Sequence, residues 1–575
     1  MHSTPKLRLS LIAVLAVVAL VAAACGSSSK NSGSSGGGGG GTVNTAPVTQ
    51  GGTLTVAAEQ EPDCLDFLSS CAGASWGSWP VQIQTLPMVF RTVPNPDGTP
   101  NSGDVITVPG AVLTGEPKLE TTPVQKITYS IKPEAVWSDG VAITCADFQY
   151  VVNQQQTGTD LYDPTGYPDI QSVSCPDPKT AVVTYKQGKT YANWKTLFAG
   201  NYGLLPSHLL KGKDRDALMK DGYSWSGGPW IAKWNKGDNI TLTQNPKYWG
   251  TKPKLDKVVF KFIPDTSAEF QALKSGQVDA AYPQPQIDVV NAISAGGLTN
   301  LNTLYNSNTG SIEALWMNNA KFPFDTVQAR QALAYAVDRK ALVDKLFGPL
   351  GVKEPSNSFN EYIVRQYGNI DAFAKYELDL DKVNSLMTEA GFTKGSDGIW
   401  AKGGRKPSFT INSTAENKRR ELTEQVLQSQ LKTAGFDMKI QNMKAGDLFG
   451  DALPKGNYTF AIYAQQLTAI APSNCPLFCS QNIPTAANGQ SGQNWTRTNV
   501  PGLDEPLKTV DNNLDESARE AAGKQADDIM AENVVSLPLD PLPNILIWSK
   551  KVLGPVQDDP GESMFWNLDQ WGIQQ

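Results

Sequence analysis

Apolar and polar residues alternate along this chain at two periods, and the switches between them predict its elements. Thr53-Leu54-Thr55-Val56-Ala57 alternates as a strand directly after Gly51-Gly52. Phe409 and Ile411 alternate likewise; residues 416–434 then carry Leu422, Val426 and Leu431 at near-helical spacing among many charges, and Gly435 supplies a stop. Phe436, Met438 and Ile440 alternate again. Strand, helix and strand in that order form a crossover, which implies a parallel strand pair covered by a helix. A second helix is expected from Asp325 as N-cap, with Val327, Ala332, Leu333 and Ala336 inward; Asp338 is expected to cap a third, with Ala341, Leu342 and Leu346 on its apolar side. Residues 535–539 and 545–548 read as strands. The pattern predicts an α/β fold. No repeat of 20–50 residues interrupts it.

The first 50 residues follow other rules. Lys6 and Arg8 precede an apolar run at 11–21, and Ala22-Ala23-Ala24-Cys25-Gly26 follows. This is the layout of a secretory signal over 1–24, with a cysteine at the cut. The run is shorter than the roughly 20 residues of a membrane span. The small residues before Cys25 resemble the lipobox of bacterial lipoproteins, with Ala22 where leucine is more usual. That resemblance implies diacylation of Cys25, contact with the membrane through lipid only, and residence on the outer face of the cell membrane. Residues 25–50, rich in Gly and Ser, read as a flexible tether that holds the folded body roughly 25–30 Å from the membrane.

About 525 residues remain, well past the roughly 250–300 at which a single core stops growing, so two or three lobes are expected. The net charge is −7, and −9 once Lys6 and Arg8 leave with the signal. An acidic body without a basic stripe is a poor nucleic-acid binder. Besides Cys25 there are six cysteines in three local groups: Cys64 with Cys71, Cys145 with Cys175, Cys475 with Cys479. Even parity in an exported chain argues for disulfides, with buried free thiols at Cys145 and Cys175 as the plainer alternative. A metal reading of Cys475 and Cys479 lacks a second pair and nearby histidine. Of two histidines only His208 outlasts the signal, which counts against Ser-His-Asp and Cys-His chemistry.

Four segments resemble the family 5 extracellular solute-binding proteins, the receptors of dipeptide, oligopeptide and nickel ABC importers. Residues 51–67 are similar to the family's opening strand and Glu-Pro-x-x-Leu-Asp loop. Residues 127–150 match through Lys132, Trp137, Asp139-Gly140 and Ala146-Asp147. Residues 227–281 match through Asn245-Pro246, Tyr248-Trp249 and Leu273-Lys274-Ser275-Gly276, with Trp230 replacing the usual Tyr. Residues 316–343 match through Asn318, Pro323-Phe324, Arg330-Gln331-Ala332 and Asp338-Arg339. The resemblance implies a type II periplasmic-binding-protein fold: two α/β lobes joined by a hinge of two crossing segments, plus an extra domain on lobe one. Carried onto this chain, lobe one is 51–70, 227–310 and 538–575, the extra domain 71–226, and lobe two 311–537. Most matched residues are expected to be scaffold, with Trp137 buried before a turn and Arg330 a structural charge partner.

The implied function is that of a monomeric receptor, without cofactor or enzymatic activity. It captures a peptide or other polar solute by lobe closure and delivers it to an ABC permease and its ATPase subunits. A sensory or adhesion lipoprotein of the same fold is the alternative, and an exported hydrolase using two carboxylates about 5–9 Å apart a more distant one. Peptide-binding members pair a lobe-two aspartate with the ligand's α-amino group, in a segment equivalent to 458–480. No acid occurs there; Gln465 and Gln466 stand instead. A buried unpaired ammonium costs several kcal/mol, so a neutral or amine-blocked solute is expected. The candidate ligand contacts are Gln60, Trp76, Trp316, Asn318, Tyr463, Gln465, Gln466 and Trp495.

Overall fold

The computed structural model describes residues 50–73, 75–98, 104–200, 203–467, 471–560 and 562–574. The signal, Cys25 and all of the tether but its last residue lie outside the described residues. Thr53–Ala58 buries Leu54 and Val56 completely and occupies an interior position of a seven-stranded sheet. In spatial order that sheet runs Leu301–Asn306, Asn544–Ser549, Ala280–Ala281, Thr53–Ala58, Lys257–Phe262, Asn239–Gln244 and Trp230–Asn235. Thr53–Ala58 pairs in parallel with Lys257–Phe262 and Ala280–Ala281, so both of its edges are hydrogen-bonded, while its burial alternates as the sequence does.

A second, five-stranded sheet runs Asp437–Ile440, Ser408–Asn412, Phe460–Gln466, Ser311–Met317 and Leu537–Pro541. Ser408–Asn412 and Asp437–Ile440 are parallel, with the helix Lys418–Ala434 between them in sequence, as the crossover pattern predicts. That helix ends at Gly435 with φ +96°, a left-handed cap that glycine adopts without a Cβ clash. Its buried face differs from the expected one: Arg419, Arg420, Thr423, Glu424, Leu427 and Leu431 point inward, while Leu422 and Val426 are half-buried. Charges turn inward because Glu313 waits beneath them. The next expected helix spans Val327–Ala336 with Thr326, not Asp325, at its N-cap; Asp338 caps Arg339–Leu346 through the Ala341 N–H at 2.9 Å.

A third sheet, of four antiparallel strands, covers Lys118–Glu120, Lys126–Ser130, Thr180–Tyr185 and Ile170–Asp177, and packs with the helix Cys145–Thr157. Trp137 is fully buried there, ahead of a turn in which Gly140 has φ +90°. Arg330 is structural, but its partners are the carbonyl oxygens of Phe324, Asn533 and Val534 at 2.6–3.1 Å. Disulfides join Cys64 to Cys71, Cys145 to Cys175 and Cys475 to Cys479.

Two short segments carry the chain between the large sheets. One lies between Asn306 and Ser311, the other between Pro541 and Asn544. They run side by side: the Thr309 hydroxyl donates to the Leu542 carbonyl at 2.9 Å, and the Leu542 N–H donates to the Ser311 carbonyl at 3.0 Å. The expected boundary at 537/538 falls inside the strand Leu537–Pro541, which pairs with Ser311–Met317, so the return crossing lies after Pro541.

Candidate ligand-binding site

The body on the seven-stranded sheet, the body on the five-stranded sheet and the four-stranded side domain converge on one cavity of about 200 Å³. A buried water needs only some 10–15 Å³ by the same kind of measure, so the space suits a solute with its waters.

The first body supplies Gln60 and Trp76. Trp76 stacks on Tyr282 at 4.6 Å and 6°, and its Nε1 donates to the Tyr282 carbonyl at 3.2 Å. Gly77 makes that wall possible, because a Cβ there would lie 2.4 Å from the Gln60 carbonyl oxygen. The second body supplies Tyr463, Gln465 and Gln466 from the strand Phe460–Gln466, and Trp495 from a later loop. This strand is fully paired on one side with Ser311–Met317; on the other it meets Ser408–Asn412 only at Phe460 and Ala461. From Ile462 to Gln466 that edge carries no neighbouring strand among the described residues. Gln466 reaches the opposite body, its Nε2 donating to the Pro560 carbonyl at 2.7 Å.

Six of the eight candidate contacts therefore line the cavity: Gln60, Trp76, Tyr463, Gln465, Gln466 and Trp495. Trp316 and Asn318 do not, and the reasons are structural. Trp316 is buried behind Tyr463, stacked on it at 4.8 Å and 12°, with Nε1 donating to the Tyr463 carbonyl at 2.8 Å. It shapes the cavity at one remove. Asn318 is buried in a turn, where its Nδ2 donates to the carbonyls of Tyr458 at 3.0 Å and Gly456 at 3.3 Å, and its Oδ1 takes the Ala320 N–H at 3.2 Å.

Charge beneath and around the cavity is organised by one buried carboxylate. Glu313 receives Arg419 Nη2 at 2.8 Å and Arg420 Nε at 2.8 Å, and all three side chains are essentially inaccessible. Burial pushes the Glu313 carboxyl up, but the two guanidinium groups outweigh it and hold it below the usual range. Arg420 lines the cavity from this network. The same helix start joins the bodies: Asn417 Nδ2 donates to Gln284 Oε1 at 3.0 Å, and the Arg419 N–H to Gln286 Oε1 at 2.9 Å.

Residues 117–482 match the model of the bacterial extracellular solute-binding proteins, family 5, in its middle region. The chain belongs to that family. Membership makes it a solute-binding protein and not an enzyme. The oligopeptide-binding protein OppA of Mycobacterium tuberculosis is 26% identical over 470 residues, covering 80% of this chain and 75% of that one. AppA of Bacillus subtilis, solved with a nonapeptide, superposes with a TM-score of 0.80 at 21% identity, covering 92% of this chain and all of AppA. NikZ of Campylobacter jejuni, solved with Ni(L-His), gives 0.76 at 20% identity over 90% of this chain and 99% of NikZ. The periplasmic-binding-protein fold is shared across these family members while their ligands differ, so the ligand must be argued from the cavity.

Three carboxylates that sequence reasoning passed over also line that cavity: Asp163, Asp511 and Glu562. The segment 458–480 is indeed free of acids, yet the side domain, the helix Asp504–Asn512 and the C-terminal segment bring their own. The inference of an uncharged solute from that segment alone therefore loses its footing. Glu562 is neutralised by Arg91, whose Nε and Nη2 donate at 2.9 and 2.7 Å. Asp163 and Asp511 make no ion pair among the described residues. Asp163 stands in a Asp-Pro-Thr-Gly run that reads as a turn, and Asp511 in a charged helix; neither carries a local signal of its place.

Proposed function

We propose that this protein captures a peptide or peptide-like polar solute in the cavity by lobe closure and hands it to an ABC permease driven by ATPase subunits. The observation that carries the reading is the open edge of the strand Phe460–Gln466. A ligand backbone laid along Ile462 to Gln466 can pair as an added strand, a mode that takes affinity from main-chain hydrogen bonds. Tyr463, Trp495 and Trp76 offer flat apolar faces, and Gln60 and Gln465 offer amides that donate and accept alike. For micromolar affinity the net binding free energy is about 8 kcal/mol, within reach of a few such bonds at about 1 kcal/mol each together with aromatic burial.

The two crossing segments form the hinge of this reading, with 51–70, the helix Ser75–Thr85 that packs on the same core, and 227–310 in lobe one, the remainder of 71–226 as its side domain, and lobe two running from Ser311 to Pro541. Cys25 carries the lipid and residues 25–50 the tether, so that a monomeric receptor works on the outer face of the cell membrane. Mass spectrometry of small molecules released on denaturing protein from its native envelope tests the ligand. Peptides or amide-rich solutes in near-stoichiometric yield support the reading; a sugar, or a metal complex without a peptide-like ligand, overturns it.

A further inference from the structure

The free edge of the strand Phe460–Gln466 is bounded at both of its ends. At one end Ser408–Asn412 already pairs with Phe460 and Ala461, which leaves the last five residues of the seven-residue strand open. Those five cover four steps of roughly 3.3 Å, about 13 Å in all. At the other end Gln466 pairs with Ser311, the first residue of its strand after the crossing from lobe one, so the edge runs out at the hinge.

At the hinge stand the C-terminal segments 557–560 and 562–566. Asp558 is buried there, and its Oδ2 accepts from Asn306 Nδ2 at 2.8 Å and from Asn544 Nδ2 at 2.9 Å, one asparagine at the lobe-one end of each crossing segment. Two residues on, the Pro560 carbonyl takes Gln466 Nε2 from lobe two. Side-domain contacts hold the rest: the Thr92 hydroxyl donates to Asp559 Oδ1 at 3.0 Å, and the Thr92 N–H to Glu562 Oε1 at 3.1 Å beside the pair with Arg91. From the helix Ser75–Thr85, Gln84 Nε2 donates to the Phe565 carbonyl at 2.9 Å. A strap tied to both crossing segments, the side domain and that helix yields to a longer chain only by leaving buried polar groups unpaired, which costs more than the net worth of the bonds broken. Glu562 and Ser563 of the strap line the cavity together with Gln466. The cavity is itself small, about 200 Å³, when an engineered cavity of about 150 Å³ takes one benzene.

We propose that this strap is a length stop: held against the hinge by Asp558, it ends the ligand's path at Gln466 and restricts the protein to short peptides, of up to about five residues, over longer ones. Asp558 acts as a positioning residue, through the place it gives Pro560. The inference rests on the peptide reading above and adds a limit of length to it.

The mature chain is incubated with an enzymatic casein hydrolysate of mixed peptide lengths, separated from unbound peptides by gel filtration and denatured, and the released peptides are sized by mass spectrometry. Peptides of six or more residues are expected to be depleted at least tenfold relative to the hydrolysate, and shorter ones enriched. Gln466→Ala removes the contact between strand edge and strap, and Asp558→Ala frees the strap from the crossing segments. In these variants, each checked by melting temperature, the depletion of long peptides is expected to shrink at least threefold; a residue that only stabilised the fold would lower the melting temperature and leave the length profile alone. The Gln466 side chain is exposed, so its variant folds even where Asp558→Ala does not. Long peptides retained in proportion to their share of the hydrolysate, or a length profile unmoved in every variant that folds, overturn the inference and leave the peptide reading standing. Retention of no peptide of any length removes both.

Discussion

Asp527 shows what a single buried carboxyl does to this molecule. It lies inside the helix Glu516–Asn533; its Oδ2 takes the Ser358 hydroxyl at 2.5 Å and the Asn369 N–H at 3.0 Å, while Oδ1 meets no donor. Burial outweighs those two bonds and pushes the carboxyl up to about 8. A group whose pKa rises on folding holds its proton more tightly in the native state. Its contribution is complete below the unfolded value near 4 and is lost as the pH climbs through 8. Asp527→Asn keeps the shape and removes the titration. Raising the pH from 5 to 8 is therefore expected to destabilise the native chain relative to the variant by on the order of a few kcal/mol, at about 1.4 kcal/mol per unit. Melting temperatures of both proteins at the two pH values measure it; parallel pH profiles would show that Asp527 is charged in the fold.

Among elements, the disulfides divide by the length of chain they close. Cys145–Cys175 spans 30 residues and ties the start of the helix Cys145–Thr157 to the strand Ile170–Asp177, whereas Cys475–Cys479 spans 4 within one short turn. Loop-closure entropy gives about 3.5 kcal/mol for the first and about 2 kcal/mol for the second. The double variant Cys145→Ser with Cys175→Ser is expected to melt lower than Cys475→Ser with Cys479→Ser; calorimetric scans settle the order. These pairings were legible because partners stand close in sequence. So was the crossover at 408–440, where period alone separates strand from helix. The inward face of Lys418–Ala434 was not legible, because Arg419 and Arg420 point to Glu313, over 100 residues away. Trp316 and Tyr463 are both aromatics on adjacent strands; only packing tells the one behind the wall from the one in it. Asp163 and Asp511 escaped for the same reason: the cavity is assembled from distant segments, and no local pattern marks the carboxylates that meet there.

At the scale of the whole molecule, the two bodies touch at a point where charge opposes contact. Asp63, from the loop after Thr53–Ala58, abuts Gly446 of the second body so closely that a Cβ on Gly446 would lie 2.2 Å from its Oδ1. Burial first, then Asp447 across the gap and Glu61 beside it, push Asp63 up to about 7, and its Oδ2 finds no donor. If the bodies part, solvent returns to Asp63 and its pKa falls toward the ordinary value near 4. Closure therefore takes up a proton: it is favoured below pH 4 and progressively opposed as the pH rises through 7. Between pH 6 and 7.5 the closed population of the ligand-free chain is expected to drop by roughly tenfold relative to the open one, the size of shift that about 1.4 kcal/mol produces. Small-angle scattering of the ligand-free protein should show a smaller radius of gyration at pH 6 than at pH 7.5. Asp63→Asn, which cannot ionise, should hold the smaller value at both. A native radius that ignores pH while the lobes still close on ligand would mean that Asp63 has the same charge in both states, and that the contact at Gly446 is electrostatically neutral to the motion.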